Sequence, residues 1–187
     1  MDESIDQYRA PIASLETVET GLPFFVVGTT KFVVLFLSTF GLYQLYWWFR
    51  QWRQQRDVAR VSATPVMRSI FSIFFAHVLF RNANSLAVSK GVQFGAAPGL
   101  LAGTYILASI SQNMLLRLNG IGPLLAATGV MLVECVVLTV AQRGINRACD
   151  DPQGTGNRHF SGANIVWIIL GCAYVALLIV ASVMPEA

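Results

Sequence analysis

The sequence predicts an all-α integral membrane protein: a helical bundle of four transmembrane helices with one short re-entrant or interfacial helix. Composition is the first observation behind this prediction. The 187-residue chain is 55% hydrophobic and only 12% charged, whereas an average soluble domain is about 25% charged. The second observation is that the apolar residues collect in long runs, and a run of about 20 residues spans a bilayer as a helix.

The chain divides into a polar N-terminal tail and a single transmembrane domain. The tail covers residues 1–30 and ends in an apolar patch, Leu22–Val27, which we expect at the membrane interface. No basic start followed by an apolar stretch is visible, so no cleavable signal is predicted. Residues 31–187 form the transmembrane domain, and its first span is expected to serve also as the insertion signal.

Four apolar runs of 18 to 21 residues are long enough to cross a bilayer: 32–49, 100–118, 121–141 and 164–184. The run 69–80 has 12 residues, which favours a re-entrant or interfacial segment, although the sequence leaves open whether it spans. Pro98 suits the first turn of the second spanning helix. Asn119-Gly120 followed by Pro123 predicts a tight turn between the second and third.

Basic residues orient these helices, because the cytoplasmic flanks of membrane helices are rich in Lys and Arg. Ten of the 13 Lys and Arg follow the first span, follow the short run or lie in the loop 142–163. All ten lie on one side if the short run does not cross. The loops would then be cytoplasmic, and both termini are predicted outside.

Aromatic and basic side chains lie at and just after the C-terminal end of the first span. Trp and Tyr prefer the headgroup level of a bilayer, so this cluster predicts the cytoplasmic membrane interface. The arginines either report ordinary topology or contact anionic headgroups. The residues assigned to this interface are Trp47, Trp48, Trp52, Arg50, Arg53 and Arg56.

Four stretches resemble a known family, and one of them, Pro65–Phe71, is similar to the proline-, arginine- and aromatic-rich entry to the short second segment of that family. Thr39–Phe49 reads T-F-G-L-Y-Q-L-Y-W-W-F and is similar to the T-F-G-x-Y-x-x-Y-W signature of a family of small, uncharacterised bacterial multi-pass inner-membrane proteins. Gln142–Asn146 and Asn157–Asn164 resemble its Q-R-x-x-N and N-S-R-F-S-x-x-N stretches, whereas Leu118-Asn119-Gly120 departs from its Leu-Pro-Asp turn. The resemblance implies a bacterial inner (cytoplasmic) membrane location and supplies no reaction.

Glu134 is the only acidic residue inside a predicted span, and a charge at that depth is costly enough to suggest a function. Side chains expected at a similar depth form the rest of a predicted intramembrane polar site: Tyr43, Gln44, Thr104, Tyr105 and, on the short run, His77. One interpretation is a proton- or cation-linked site facing a cavity. The other is a hydrogen-bonded carboxyl that holds helices together, with His77 satisfied by a backbone carbonyl.

Small residues on the second span offer a helix-packing face formed by Gly99, Gly103 and Ser109. Small residues let two membrane helices approach closely. The pattern fits packing within one chain or a dimer contact.

No nucleophile, phosphate-binding or metal-binding motif is present, and the chain has only two His. We therefore expect no catalytic residues, no cofactor, no metal and no nucleic-acid partner. The sequence favours a structural or accessory component of a membrane assembly, with the lipid bilayer and either itself or a larger complex as partners. The alternative is a small oligomeric channel or transporter built around Glu134.

Overall fold

The computed structural model describes residues 21–183, which form seven α-helices, one short 3₁₀ helix (Thr155–Asn157) and no strand. The all-α class is therefore confirmed for this part of the chain, and the predicted tail up to residue 20 lies outside it. The helices are α1 (Thr29–Ser38), α2 (Tyr43–Asp57), α3 (Pro65–Ile70), α4 (Ser72–Ser89), α5 (Pro98–Leu115), α6 (Ile121–Ala148) and α7 (Gly162–Val183).

Among the described residues, two helices, α6 and α7, are long and apolar enough to cross a membrane. The helix α6 has 28 residues and continues past the predicted end at 141. The helix α5 begins at Pro98, as predicted, and a short turn at residues 116–120 joins it to α6. We call this connection the turn end of the bundle, and the loop between α6 and α7, residues 149–161, the loop end.

The predicted first span, 32–49, is wrong, because the structure divides it into α1 and α2. Phe40 and Gly41 between them have φ angles of 49° and 85°, a left-handed conformation that glycine adopts without strain. The Thr39 hydroxyl donates to the carbonyl of Leu35 (2.8 Å) and accepts the backbone N–H of Tyr43 (2.9 Å). Thr39–Gly41, the T-F-G part of the stretch that resembles the family signature, thus forms the turn between two helices.

The helices α1 and α2 form a hairpin whose two ends both lie at the loop end. The N–H of Gly28, just before α1, donates to the carbonyl of Asn157 in that loop (3.2 Å). On α2, Gln44 contacts Glu134 in the middle of α6, while Gln51 contacts Gln142 near its C-terminal end. The sequence predicted that the start of the first span and the loop 142–163 lie on opposite sides of the membrane. This prediction is wrong, because the chain reverses after Ser38.

The short run 69–80 is also divided, at Phe71, between α3 and α4. At this bend the hydroxyl of Ser72 lies 2.8 Å from that of Tyr105 on α5. Further along α4, Asn82 donates to Gln55 (3.2 Å), and Lys90 beyond it pairs with Asp150 at the loop end. The run is part of a second pair of helices that turns back, and α4 continues past the end of the run at residue 80 to Ser89.

The core is built around the indole rings of α2. Trp47, Trp48 and Trp52 have no exposed surface, which corrects their assignment to the membrane interface. The hairpin places α2 inside the bundle, where the indole N–H groups of Trp47 and Trp48 donate to Gln142 (2.5 Å) and Tyr105 (3.0 Å). The rings therefore contact protein. Of the arginines assigned to that interface, Arg53 and Arg56 are exposed beside Asp57, and Arg50 is half-buried over the ring of Phe25.

Close backbone packing uses a different glycine from those the sequence suggested. Among the described residues, a Cβ on Gly99 or Gly103 would meet nothing within 4 Å, so these two glycines are not sites of close helix packing there, while Ser109 on the same helix is buried. A Cβ on Gly144 of α6 would instead lie 2.3 Å from the carbonyl oxygen of Phe94. This contact holds the connection between α4 and α5 against α6.

We predict that Gly144→Ala destabilises the fold by about 2 kcal/mol, because the methyl group forces Phe94 away from α6. Gly129→Ala on the same helix is the matched control, since its Cβ would meet nothing within 4 Å. We expect Gly129→Ala to be neutral or slightly stabilising through helix propensity. Unfolding of both variants in detergent measures the difference, and equal stability would contradict the proposed contact.

Candidate functional site

An extended segment, Pro23–Val27, lies inside the bundle at the loop end. Phe24, Phe25, Val26 and Val27 are each at most 7% exposed, so the prediction that this patch lies on the membrane interface is wrong. A buried segment that is neither helix nor strand must find partners for its backbone N–H and C=O groups elsewhere. Here amide side chains supply them.

Gln51 and Gln142 bind the backbone of Phe25 from two helices. The Gln51 amide accepts the N–H of Phe25 (3.0 Å) and donates to its carbonyl (3.1 Å). Gln142 donates to the same carbonyl (3.1 Å) and to Asn146 Oδ1 (2.6 Å), and its oxygen accepts from Trp47 and Gln51. All the hydrogen-bonding capacity of Gln142 is therefore used.

Three further amides complete what we call the amide cluster. Gln55 donates to the carbonyl of Pro23 (2.8 Å), Asn157 to that of Val26 (3.2 Å) and Asn146 to that of Val27 (2.9 Å). This cluster was not predicted from the sequence, although the spacing of its residues indicates it. Gln51 and Gln55, and likewise Gln142 and Asn146, are four residues apart and so share one helix face.

We predict that Gln142→Leu destabilises the protein by about 3 kcal/mol, because Trp47 Nε1 and Asn146 Oδ1 lose a partner without gaining water. Gln93→Leu is the control, since Gln93 is exposed. Chemical unfolding in detergent compares the two, and a Gln142→Leu variant as stable as the wild type would contradict the role of the cluster.

The carboxylate of Asp151 organises the loop end. Its Oδ1 accepts from the backbone N–H and the hydroxyl of Thr155 (2.8 and 2.9 Å), and its Oδ2 accepts from the backbone N–H of Gly156 (3.0 Å). These bonds, first the two to backbone N–H groups, hold the pKa of Asp151 below its ordinary value of 3.8. They favour the ionised form and fix the short 3₁₀ helix.

We predict an acid-sensitive contribution from Asp151. Because its pKa is lowered on folding, its stabilisation is full above the ordinary pKa of 3.8 and is lost as pH falls through the lower folded value. Asp151→Asn should reduce the loss of thermal stability between about pH 6 and about pH 3. Gln153→Asn is the control, since Gln153 is an exposed and uncharged residue of the same loop, and an unchanged Asp151→Asn profile would contradict the prediction.

Glu134 lies in the middle of α6, about 20 Å from either end at 1.5 Å per residue. Its side chain is fully buried. Gln44, at the start of α2, donates from Nε2 to Glu134 Oε2 (3.4 Å). The α1–α2 turn thus brings a polar side chain to the carboxyl at the depth where the chain reverses.

A chain of hydrogen bonds orients Gln44. The Tyr105 hydroxyl donates to Gln44 Oε1 (3.0 Å) and accepts the indole N–H of Trp48 (3.0 Å). Since a tyrosine hydroxyl has one proton to donate, the bond with Ser72 (2.8 Å) has the serine as donor. This arrangement fixes the oxygen of Gln44 toward Tyr105 and its NH₂ group toward Glu134.

A cleft of about 750 Å³ extends from Glu134 toward the turn end, with Asn113 and Arg117 on the α5 side. Glu134 and Ser109 both border this cleft, and the Ser109 hydroxyl lies close enough to the Glu134 carboxyl to act as its hydrogen-bond donor. Buried polar atoms are nearly always paired. A carboxyl and a hydroxyl therefore lie side by side at the inner end of the cleft.

The structure brings together part of the predicted polar site. Gln44 and Tyr105 join Glu134, whereas Tyr43 packs beside Tyr46 and Phe32. The half-buried Thr104 does not border the cleft, and His77 is exposed on α4, away from it. Ser72 was not predicted as part of this site, and Ser109 was predicted only as part of a packing face.

Within residues 21–183, no group of three or more His, Cys, Asp or Glu side chains is arranged to hold a metal ion. No family model, curated protein or solved structure matches the chain.

Proposed function

We propose that the protein is a multi-pass membrane protein in which α5, α6 and α7 cross the bilayer, while the pairs α1–α2 and α3–α4 enter from the loop end and return to it. The length and hydropathy of α6 and α7 support two of these crossings, and the packing of α5 along α6, to which the short turn joins it, supports the third. Irregular backbone at membrane depth is tolerated where protein buries it. Thr39 and Gly41 in the α1–α2 turn are both buried.

The loop end is the cytoplasmic side in this proposal. Every described Lys and Arg except Arg117 belongs to the half of the bundle nearer the loop end, which is the distribution expected of a cytoplasmic face. The start of α1 is then cytoplasmic and the C-terminal end of α7 is outside, instead of both lying outside. The family resemblance supports the bacterial inner membrane as the location.

Within that membrane, the function that we propose is passage of protons or small monovalent cations through a site at Glu134. A single observation carries the proposal: the fully buried carboxyl-bearing residue Glu134, in the middle of α6, borders the 750 Å³ cleft. An intramembrane carboxyl facing a cavity is typical of ion and proton pathways. The alternative of a carboxyl that only joins helices accounts for the bond from Gln44 but not for the cleft.

The surroundings of Glu134 suit a cation. Gln44 stabilises one carboxylate oxygen through a donated hydrogen bond, so the other oxygen is available to a proton or a metal ion. Ser109 Oγ adds a second oxygen at the same end of the cleft, and oxygen ligands are those that hard cations prefer. Broken helices that meet at mid-membrane also line the ion sites of transporters.

The accessory role favoured by the sequence stays a prediction. Self-association would place a second helix against Gly99 and Gly103, where an added Cβ would meet none of the described residues within 4 Å. The contacts among the described residues do not indicate which protein would bind to this face.

The experiment that tests the proposal is flux into liposomes reconstituted with the full chain. A pH-sensitive dye reports proton entry under a clamped membrane potential, and sodium and potassium uptake are measured separately. We predict that Glu134→Gln reduces the active flux by at least about tenfold, because the neutral amide no longer offers the charge that offsets desolvation of the ion.

Asp57→Asn provides the matched control, since it removes one acid at the exposed end of α2, beside Arg53 and Arg56. It should leave flux unchanged. Flux through Glu134→Gln equal to that of the wild type would refute the proposed role of Glu134. Wild-type protein that passes neither protons nor these cations would refute the proposal as a whole.

A further inference from the structure

A second cleft, of about 500 Å³, lies at the loop end and is separate from the Glu134 cleft. One wall is a face of α2 carrying Tyr43, Tyr46, Arg50 and Gln54. The extended segment and the loop before α7 form the other walls. At 1.5 Å per residue the α2 face is about 16 Å long, so the cleft reaches from the loop end toward the middle of the bundle.

Lys31 is the first cation bordering this cleft. Its side chain is on the first turn of α1 and only 6% of its surface is exposed. The ammonium donates to Asn157 Oδ1 and to the carbonyl of His159, both at 2.7 Å. Both acceptors are neutral, so the buried positive charge has no opposite charge within 4 Å among the described residues.

Arg50 is the second cation. Its guanidinium lies 4.5 Å from the centre of the Phe25 ring and donates to the Tyr46 hydroxyl (2.9 Å). Its Nε is buried and has no hydrogen-bond partner in the part of the chain described. Asp151 also borders the cleft, but its carboxylate oxygens accept from Thr155 and Gly156.

We propose that this cleft binds the phosphate group of an anionic phospholipid, with Lys31 and Arg50 as its ligands. Two cations against one carboxylate, that of Asp151, leave the cleft with a net positive charge, and guanidinium and ammonium groups are standard phosphate ligands. Of the apolar side chains that border the cleft, Leu22 is exposed, whereas Phe24 and Phe25 are buried. We assign the phosphate to a lipid because the exposed Leu22 can contact its glycerol and acyl part, which a free phosphate lacks.

The proposal agrees with the side of the membrane on which the site lies. The cleft is at the basic loop end, and the cytoplasmic leaflet carries the anionic lipids that attract basic segments. It does not depend on transport at Glu134, because no residue borders both clefts. A lipid bound here would also neutralise the buried ammonium of Lys31.

The test is a titration of the purified full-length protein in neutral detergent with phosphatidylglycerol, followed by native mass spectrometry. Phosphatidylcholine serves as the zwitterionic comparison. We expect Arg50→Gln and Lys31→Gln each to weaken phosphatidylglycerol binding by about tenfold, the loss of one charge-assisted hydrogen bond. The double variant Arg53→Gln/Arg56→Gln, which removes two exposed charges from the same helix, should change binding by less than about twofold.

The Arg50→Gln variant keeps the test decisive if Lys31→Gln fails to fold, because Arg50 is half-buried and does not hold the loop. Wild-type affinity in Arg50→Gln, or equal binding of phosphatidylcholine, would overturn the proposal. Displacement of the lipid by millimolar inorganic phosphate would overturn the lipid assignment in favour of a soluble phosphate. Glu16 and Glu19 are acidic residues of the same chain that could occupy the cleft instead of a lipid. If Glu16→Gln/Glu19→Gln bound the lipid much more tightly than the wild type does, these residues would be the native occupant and the lipid assignment would be overturned.

Discussion

The arrangement of this bundle depends on one requirement: the backbone of a buried, extended segment must be hydrogen-bonded. The carbonyls of Pro23, Phe25, Val26 and Val27 each accept from an amide side chain contributed by α2, α6 or the loop end. An unpaired buried group costs roughly 1–3 kcal/mol, so the segment and its amide partners form together. The cluster fixes α2 against α6 and thereby sets the position of everything else on α2.

Both proposed sites follow from that position of α2. Its first turn carries Gln44 to Glu134 in the middle of α6, and its second half carries Arg50 to the cleft that Lys31 borders. One helix therefore contributes to a negative site deep in the bundle and a positive site near its basic end. The left-handed turn at Phe40 and Gly41 makes this possible by returning the chain to the end at which α1 began.

The sequence alone predicted the helical class, the start of α5 at Pro98, the turn before α6 and the grouping of Glu134 with Gln44 and Tyr105. It predicted these because apolar runs, proline position and depth along a helix are local properties. It missed the hairpin because the run 32–49 is equally apolar whether it is one helix or two. It misplaced the tryptophans for the same reason: a Trp beside arginines at the end of an apolar run suggests an interface, and only the fold shows that protein covers it.

What the sequence by itself determined is the scarcity of charge, the apolar character of the helices and the isolation of Glu134 as an acid within them. These properties belong to single segments and are the same however the chain is arranged in space. The tertiary structure decided that Gly28 lies beside Asn157, that Trp47 donates to Gln142 and that Gln44 donates to Glu134. Those are contacts between residues up to about 130 positions apart, and they depend on which way the chain turns at Thr39–Leu42. Hydropathy does not encode that direction; the left-handed backbone of Phe40 and Gly41 and the buried amides do.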